Sequence, residues 1–429
     1  MRQSIQTKEF FQKNRERLAH LMQADTVCVL FSNDMMPRNG DQYFPFRQNS
    51  DLYYLTGIDQ EETILLLFPD SPLKQLREVL FLRKADAKTA VWEGHKYSKA
   101  EAGEISGIEE VMWVDSWPDV IKQVATLSPE FYLNQNEHWG AGEDSFSRQM
   151  IEGKKLKERF PFHRFSRLAP LMKELRLIKQ YSEIEVIQKA CTITHNAFEH
   201  VLKMVKPGLK EYEIEAEITY HFLKAGATGH AYAPIVASGK NATILHYTDN
   251  QDEVNDGDLI LFDIGCEYQH YASDMSRTIP ANGKFSKRQR EVYNAVLEVF
   301  KAARAMIRPG VTIDEINRKV ENLLMKKHIE LGLYTTEDIR DDEKARALVK
   351  NYYPHGTSHF MGLDVHDTGT KYERLEAGMV LSCEPGIYIQ EEKMGIRLEN
   401  DILVTLDGPV DLMKDIPIEA DEIEQLMQA

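Results

Sequence analysis

The sequence predicts a mixed α/β (α+β) protein of two domains, the second assembled from two similar halves. Three observations carry this expectation: the chain's length, an alternation of short apolar runs with helical patterns in its first part, and an internal echo in its second. At 429 residues the chain exceeds what one hydrophobic core ordinarily serves, so two domains are expected. With 42 % hydrophobic and 28 % charged residues, its composition is that of a globular protein rather than a disordered or fibrous one.

From the N-terminus, Phe10 to Gln23 has helical apolar spacing. Thr26 to Phe31 is the β-branched and apolar run of a buried strand, and Thr63 to Phe68 and Glu78 to Leu82 read as further strands. Helical stretches follow near Ala100 and from Pro118 to Val124. Strands alternating with helices imply a layered α/β domain. The texture changes between Pro170 and Gln180, which sets a boundary near Arg176: an N-terminal domain over 1–175 and a second domain over 176–429. Ser182 with Glu185 predicts a capping box that opens a long helix carrying Ile184, Ile187, Cys191, Val201 and Val205. Pro207-Gly208 stops it.

The echo lies just beyond. Met204-Val-Lys-Pro-Gly208 precedes Glu213, Ile214 and Ile218, and Met306-Ile-Arg-Pro-Gly310 precedes Glu315, Ile316 and Val320 at matching offsets. Each copy reads as helix, Pro-Gly turn, helix, leading to a strand pair. A duplicated, pseudo-symmetric catalytic domain follows, with its site on the strands between the halves.

Bulk properties exclude several classes. A formal net charge of −16 would repel nucleic acid and anionic membrane surfaces, so neither is an expected partner. No apolar run approaches the roughly 20 residues needed to span a bilayer, and Met1 to Arg17 lacks the apolar centre of a secretory signal. Cys28, Cys191, Cys266 and Cys383 are far apart, with no CxxC pair. Free thiols in a reducing compartment fit that usage, and a cytoplasmic location is expected.

The chemistry rests on acids at strand ends. Asp258-Leu-Ile-Leu-Phe-Asp263 is an apolar run closing on a carboxylate, and Gly265 with the polar residues after it allows a hairpin that brings Asp274 alongside Asp263. Gly378-Met-Val-Leu-Ser-Cys-Glu384 repeats the theme, and Glu399 precedes the apolar run Ile402 to Thr405. Any one of these acids alone would read as a cap or a surface residue. Four in two matching pairs beside apolar strands would be costly to bury unless a cation offsets their charge. Between the pairs lie His355, His359 and His366, three of the chain's 14 histidines, and upstream of them is His246. The stretch is not a zincin HExxH helix, because Gly356 follows the first histidine. Four carboxylates with one imidazole form an oxygen-rich set suited to Mn²⁺ and related ions, and are enough for two ions sharing bridging carboxylates. Two such ions can hold a bridging hydroxide and polarise a carbonyl, so metal-assisted hydrolysis is the expected reaction class.

Asp263 with Asp274, His359 in His-Gly-Thr-Ser-His, Glu384 in Ser-Cys-Glu-Pro-Gly-Ile-Tyr and Glu399 in Gly-Ile-Arg-Leu-Glu resemble the five metal ligands of the pita-bread metallopeptidases of family M24. Within that family the pattern is most similar to aminopeptidase P, the Xaa-Pro aminopeptidases. Phe44-Pro-Phe-Arg-Gln-Asn-Ser-Asp51-Leu-Tyr-Tyr-Leu-Thr-Gly57 resembles the N-terminal-domain signature of the same enzymes. The resemblance implies a C-terminal pita-bread catalytic domain and two divalent ions, with Mn²⁺ favoured. It implies that Asp274 and Glu399 bridge the ions, that Asp263 binds one, and that His359 and Glu384 complete the other. Glu384 would also accept the proton of the attacking water. His246, His355 and His366 would hold the peptide, stabilise the tetrahedral intermediate and relay a proton to the departing proline nitrogen. Arg397 would orient carboxylates by bidentate contacts, with Tyr388 as an accessory substrate-binding residue. Substrates would be peptides with proline at position two; the alternatives are a prolidase restricted to Xaa-Pro dipeptides and, more remotely, a non-catalytic binding protein on the same fold, against which the intact ligand set argues. Homodimers or homotetramers are implied, in which Asp41 and Trp92 occupy positions able to meet a neighbour; taken alone, they read as a surface acid and a packed tryptophan.

Overall fold

Thr26–Phe31 is buried at every position, as its unbroken apolar sequence requires of a strand covered on both faces. It is the third-from-edge strand of a six-stranded sheet, and the computed structural model describes residues 6–84, 87–138, 140 and 147–428 around and beyond it. The chain divides into two units, Met1–Arg176 and Leu177–Ala429. In the first unit we number the sheet strands β1 (Thr26–Phe31), β2 (Ile64–Leu67), β3 (Glu78–Leu82), β4 (Glu110–Trp113), β5 (Glu130–Leu133) and β6 (Arg164–Arg167), in spatial order β4-β3-β2-β1-β5-β6. β1 runs antiparallel to β2, with Cys28 opposite Leu67, and parallel to β5, with Thr26 opposite Glu130. Val27, Val29 and Phe31 pack against Val120, Ile121 and Val124 of helix Trp117–Ala125. Helix Lys8–Leu21 starts and ends two residues earlier than its apolar spacing suggests. The Ser50-to-Gly57 motif forms helix Ser50–Thr56, closed by Gly57 at φ 69°. A side chain at Gly57 would also meet the Phe11 ring at 2.4 Å, so conformation and space both require glycine there. Asp41 is exposed, as read. Trp92 is not packed: it is 79 % exposed beside Val91 at 83 %, because the seven-residue helix Ala87–Glu93 presents both to solvent.

The second unit shows the duplication. Helices α1 (Tyr181–Met204) and α2 (Glu211–Lys224) lead to the antiparallel sheet β7 (Ile235–Ser238), β8 (Leu259–Ile264), β9 (Met275–Pro280). Helices α3 (Lys287–Met306) and α4 (Ile313–Glu330) lead in turn to the strands of the second half. These are β10 (Val380–Cys383), the hairpin β11 (Gly386–Ile389) and β12 (Met394–Arg397), and then β13 (Asn400–Thr405) with β14 (Gly408–Asp411). The start of α1 differs from the expected Ser182 cap. Gln180 is the cap and its partner is Glu183, whose carboxylate accepts from the Gln180 N–H at 2.9 Å. Glu183 is 2 % exposed and also accepts from the Tyr271 hydroxyl; a buried carboxylate needs these donors, and their positions draw the helix start back two residues.

Backbone and side-chain bonds stitch the halves together. Glu399 N–H donates to Ser276 O at 3.0 Å, and Arg397 N–H to Thr278 Oγ1 at 3.3 Å. Arg277, fully buried, donates to the carbonyls of Ser276, Glu399, Ile416 and Pro417 and to Asn400 Oδ1. All four cysteines are free and buried. Among the described residues no helix is long and apolar enough to cross a membrane.

Candidate metal centre

Each half supplies one acid at the end of a strand and one at the start of its antiparallel partner. Asp263 lies on β8 opposite Ser276, and Asp274 immediately precedes β9. Glu384 immediately follows β10, and Glu399 immediately precedes β13, where Cys383 pairs with Asn400. The turn out of β8 is possible because residue 265 is glycine: a Cβ there would sit 1.8 Å from Ser273 O. The residues two beyond the strand-starting acids cross to the opposite half. Ser276 Oγ donates to Glu399 Oε2 at 2.7 Å, and Asp401 Oδ2 accepts from the Asp274 N–H at 3.1 Å. Duplication thus becomes reciprocal support.

Asp263, Asp274, Glu384 and Glu399 line one cavity of about 270 Å³ together with His246, His355, His359, His366 and Arg397. Ligand atoms of Asp274, His359 and Glu399 all lie within 4.8 Å of one another. His359 Nε2 is 3.3 Å from Asp274 Oδ2 and 3.7 Å from Glu384 Oε1. Its Nδ1–H faces Phe360 O at 3.2 Å, which leaves Nε2 aimed at the acids; metal-binding imidazoles are held this way.

The cluster's charge is poorly balanced. Burial lifts the carboxyls of Asp263, Glu384 and Glu399 above their ordinary range, Glu384 to about 7, and the acids' mutual repulsion adds to the effect. Burial would lower His359, but its bond to Asp274 and the charge of Glu384 outweigh that and raise it to about 9. One guanidinium faces the acids. Arg397 does not grip a carboxylate with two bonds, as the resemblance implied. It spreads its donors over Asp263 Oδ2 at 2.6 Å, Ser276 Oγ at 2.8 Å and the Tyr388 hydroxyl at 2.8 Å, because those three acceptors surround its buried head group. Four acids against one guanidinium is a donor set that suits hard or borderline divalent cations.

Tyr388 stands behind the cavity wall rather than on it: it is 3 % exposed and lies 2.8 Å from His355 Nε2. His355 Nδ1–H donates to Gly356 O at 2.7 Å, so Nε2 accepts from Tyr388 and both ring nitrogens are engaged. Burial, reinforced by Arg397, drops the His355 pKa to about 3. His246 and His366 are exposed at the cavity, and the His366 ring centroid lies 4.3 Å from that of His359.

Three supporting residues escaped the sequence reading. The Tyr232 hydroxyl lies 2.7 Å from Asp263 Oδ1 and 2.6 Å from Asp274 Oδ1; its single proton serves one carboxylate only, leaving the other to a cation or a proton. Nothing in its surroundings marked it. Ser276 and Asp401 were findable, since alternation along a strand places residue i+2 on the face of the acid at i.

A carboxylate-rich cage with one imidazole, built from both halves of a duplicated unit, defines the class: a hydrolase that works with divalent metal ions. Comparison with known proteins sharpens this. Residues 185–406 match metallopeptidase family M24, and residues 11–132 match the aminopeptidase P N-terminal domain. The chain is 34 % identical to the Xaa-Pro aminopeptidase of Escherichia coli (strain K12), covering 99 % of this chain and 98 % of that one. Proline aminopeptidase P II from Yersinia pestis has a TM-score of 0.89 at 32 % identity, covering 99 % of this chain and 100 % of the other. Zinc-substituted E. coli aminopeptidase P in complex with product has a TM-score of 0.87 at 33 % identity, with 99 % of each chain covered. The chain belongs to metallopeptidase family M24, among its Xaa-Pro aminopeptidases. It is a metallo-exopeptidase of the hydrolase class, with an N-terminal α/β unit and a pita-bread unit.

Proposed function

We propose that this enzyme removes the first residue of peptides whose second residue is proline. One observation carries the metal-assisted part of the reading most directly: acids from both halves converge with His359 on one cavity, a carboxylate-rich set that divalent cations would stabilise. Asp263, Asp274, Glu399, His359 and Glu384 would hold two divalent ions, Mn²⁺ first among them given the oxygen-rich set. When bound, such ions supply Lewis acidity and make a water acidic enough to attack a peptide carbonyl near neutral pH.

The remaining work falls to side chains. Glu384, on the cavity wall 3.7 Å from His359 Nε2, is placed to take the proton of the attacking water on a carboxylate oxygen. His246 and His366 are exposed to a substrate entering the cavity and would hold the peptide and deliver a proton to the proline nitrogen. His355 shares that wall, its ring fixed by Tyr388 and Gly356, and Tyr388 acts through His355 and Arg397. An Xaa-Pro bond has no N–H, and its ring fixes φ, so peptidases that bond that N–H lose their grip where a shaped pocket with its own proton donor does not.

The division of labour follows: 1–175 is an aminopeptidase P-type domain and 176–429 carries catalysis. The exposed Trp92 and Val91 support a homodimer or homotetramer, since large apolar side chains side by side on a surface favour contact with another chain. The lack of a membrane-spanning helix among the described residues accords with a cytoplasmic enzyme. The test is an assay of the Mn²⁺-loaded protein on an Xaa-Pro-Xbb tripeptide, the matching Xaa-Pro dipeptide and a non-proline tripeptide. Faster release of the first residue from the proline tripeptide, with the control untouched, is the expected result. Turnover of the dipeptide alone would make it a prolidase.

A further inference from the structure

A second cluster of metal-binding side chains lies on the helical hairpin of the catalytic unit. Glu217 and His221 are four residues apart on α2 and so share one face of the helix. Pro207-Gly208 folds α2 back along α1, which brings His200, one turn from the end of α1, over that face. His200 Nε2 lies 3.3 Å from Glu217 Oε2. The His200 and His221 ring centroids are 4.3 Å apart, tilted by 38°. One ligand atom from each of the three residues falls within 4.8 Å of the other two.

We propose that His200, Glu217 and His221 form a further, non-catalytic site for a zinc-class divalent cation, which clips α1 to α2. Two imidazoles and a carboxylate are a nitrogen-rich set of the kind zinc takes with a solvent molecule as fourth ligand, unlike the carboxylate-rich catalytic cluster. The side chains of His200 and Glu217 are 41 % and 44 % exposed, so the fourth position opens to water. A plain surface ion pair between His200 and Glu217 accounts for two of the three side chains; His221, whose ring also packs edge-on against Tyr220, brings a second imidazole to the same carboxylate. Two protonated rings this close repel, whereas a cation bridging both nitrogens and the carboxylate turns that crowding into coordination. Burial, and next the neighbouring His200, hold the His221 imidazole below its ordinary pKa, in the neutral form that a metal requires.

The test uses the full-length, Mn²⁺-loaded enzyme dialysed against low-micromolar Zn²⁺ at about pH 7.5, with metal content per chain measured for wild type, His200→Ala and His221→Ala. Wild type should retain one equivalent of zinc more than either variant, and zinc should raise the Tm of wild type more than that of the variants. Both variants should keep wild-type peptidase activity in Mn²⁺ alone, since neither residue touches the catalytic cavity. Equal zinc content in wild type and both variants would overturn the site. Should either alanine variant lose its fold by circular dichroism, Glu217→Gln removes the anionic ligand with little change of shape, and zinc retention there equal to wild type would overturn it as well.

Discussion

Glu384 faces His359 and also lies 3.6 Å from His355 Nδ1, so it can serve as ligand and proton acceptor at once. Replacement by glutamine keeps the shape and removes the basicity. Glu384→Gln should retain fold and thermal stability while kcat falls at least about a hundredfold, the usual worth of a positioned base; steady-state kinetics beside circular dichroism check this. A buried imidazole away from the cavity contributes to acid sensitivity. His328 is fully buried between the rings of Tyr334 and Tyr352, and burial lowers its pKa from 6.5 to about 4. The folded state therefore binds fewer protons than the unfolded one between those values. The stability this confers is present in full above pH 6.5 and is lost as pH falls through about 4, on the order of 3 kcal/mol. His328→Leu should flatten urea-unfolding stability across that window relative to wild type. At this scale the metal-ligand candidates were legible because acids beside apolar strands are rare and costly. Tyr232 was not, since a tyrosine ahead of a strand is chemically ordinary until the fold places its hydroxyl between Asp263 and Asp274.

Among elements, the loop carrying His359 and His366 has no regular structure of its own. A buried ion pair anchors it: Lys179, just ahead of α1, meets Asp367 at 2.9 Å with both side chains about 1 % exposed. The loop is tied again where Ala272 N–H donates to Gly362 O, two residues from Asp274. Lys179→Ala strands a buried carboxylate and should cost about 3–5 kcal/mol in denaturant unfolding, whereas the paired change Lys179→Met with Asp367→Leu should regain most of it. Catalysis should fall in both, because His366 adjoins the altered anchor. Strands such as Thr26–Phe31 and Glu78–Leu82 were readable to the residue because unbroken apolar runs admit little else. The start of α1 was not, since the deciding contact, Tyr271 to Glu183, spans 88 residues. Trp92 misled for a related reason: apolar character predicts burial on average, and a helix of one or two turns has too little face to ensure it.

For the whole molecule, duplication sets both the position of the site and its dependence on cations. A unit held together around clustered acids should be stabilised by what neutralises them. Chelation should lower the Tm, and Mn²⁺ should restore it; at a free concentration a hundred times Kd one ion adds about 2.7 kcal/mol, a rise of roughly 5–10 °C for a unit of this size. Differential scanning calorimetry with and without chelator measures it.

Arg277 sets a timetable. It sits on β9, in the half made first, yet its acceptors include carbonyls at Glu399, Ile416 and Pro417. Until those carbonyls are in place the guanidinium keeps its water, since burying it without its acceptors would be costly. Joining the halves therefore waits on the second of them: the donors of Arg277 find their full set of acceptors only once the stretch from Glu399 to Pro417 has packed against β9.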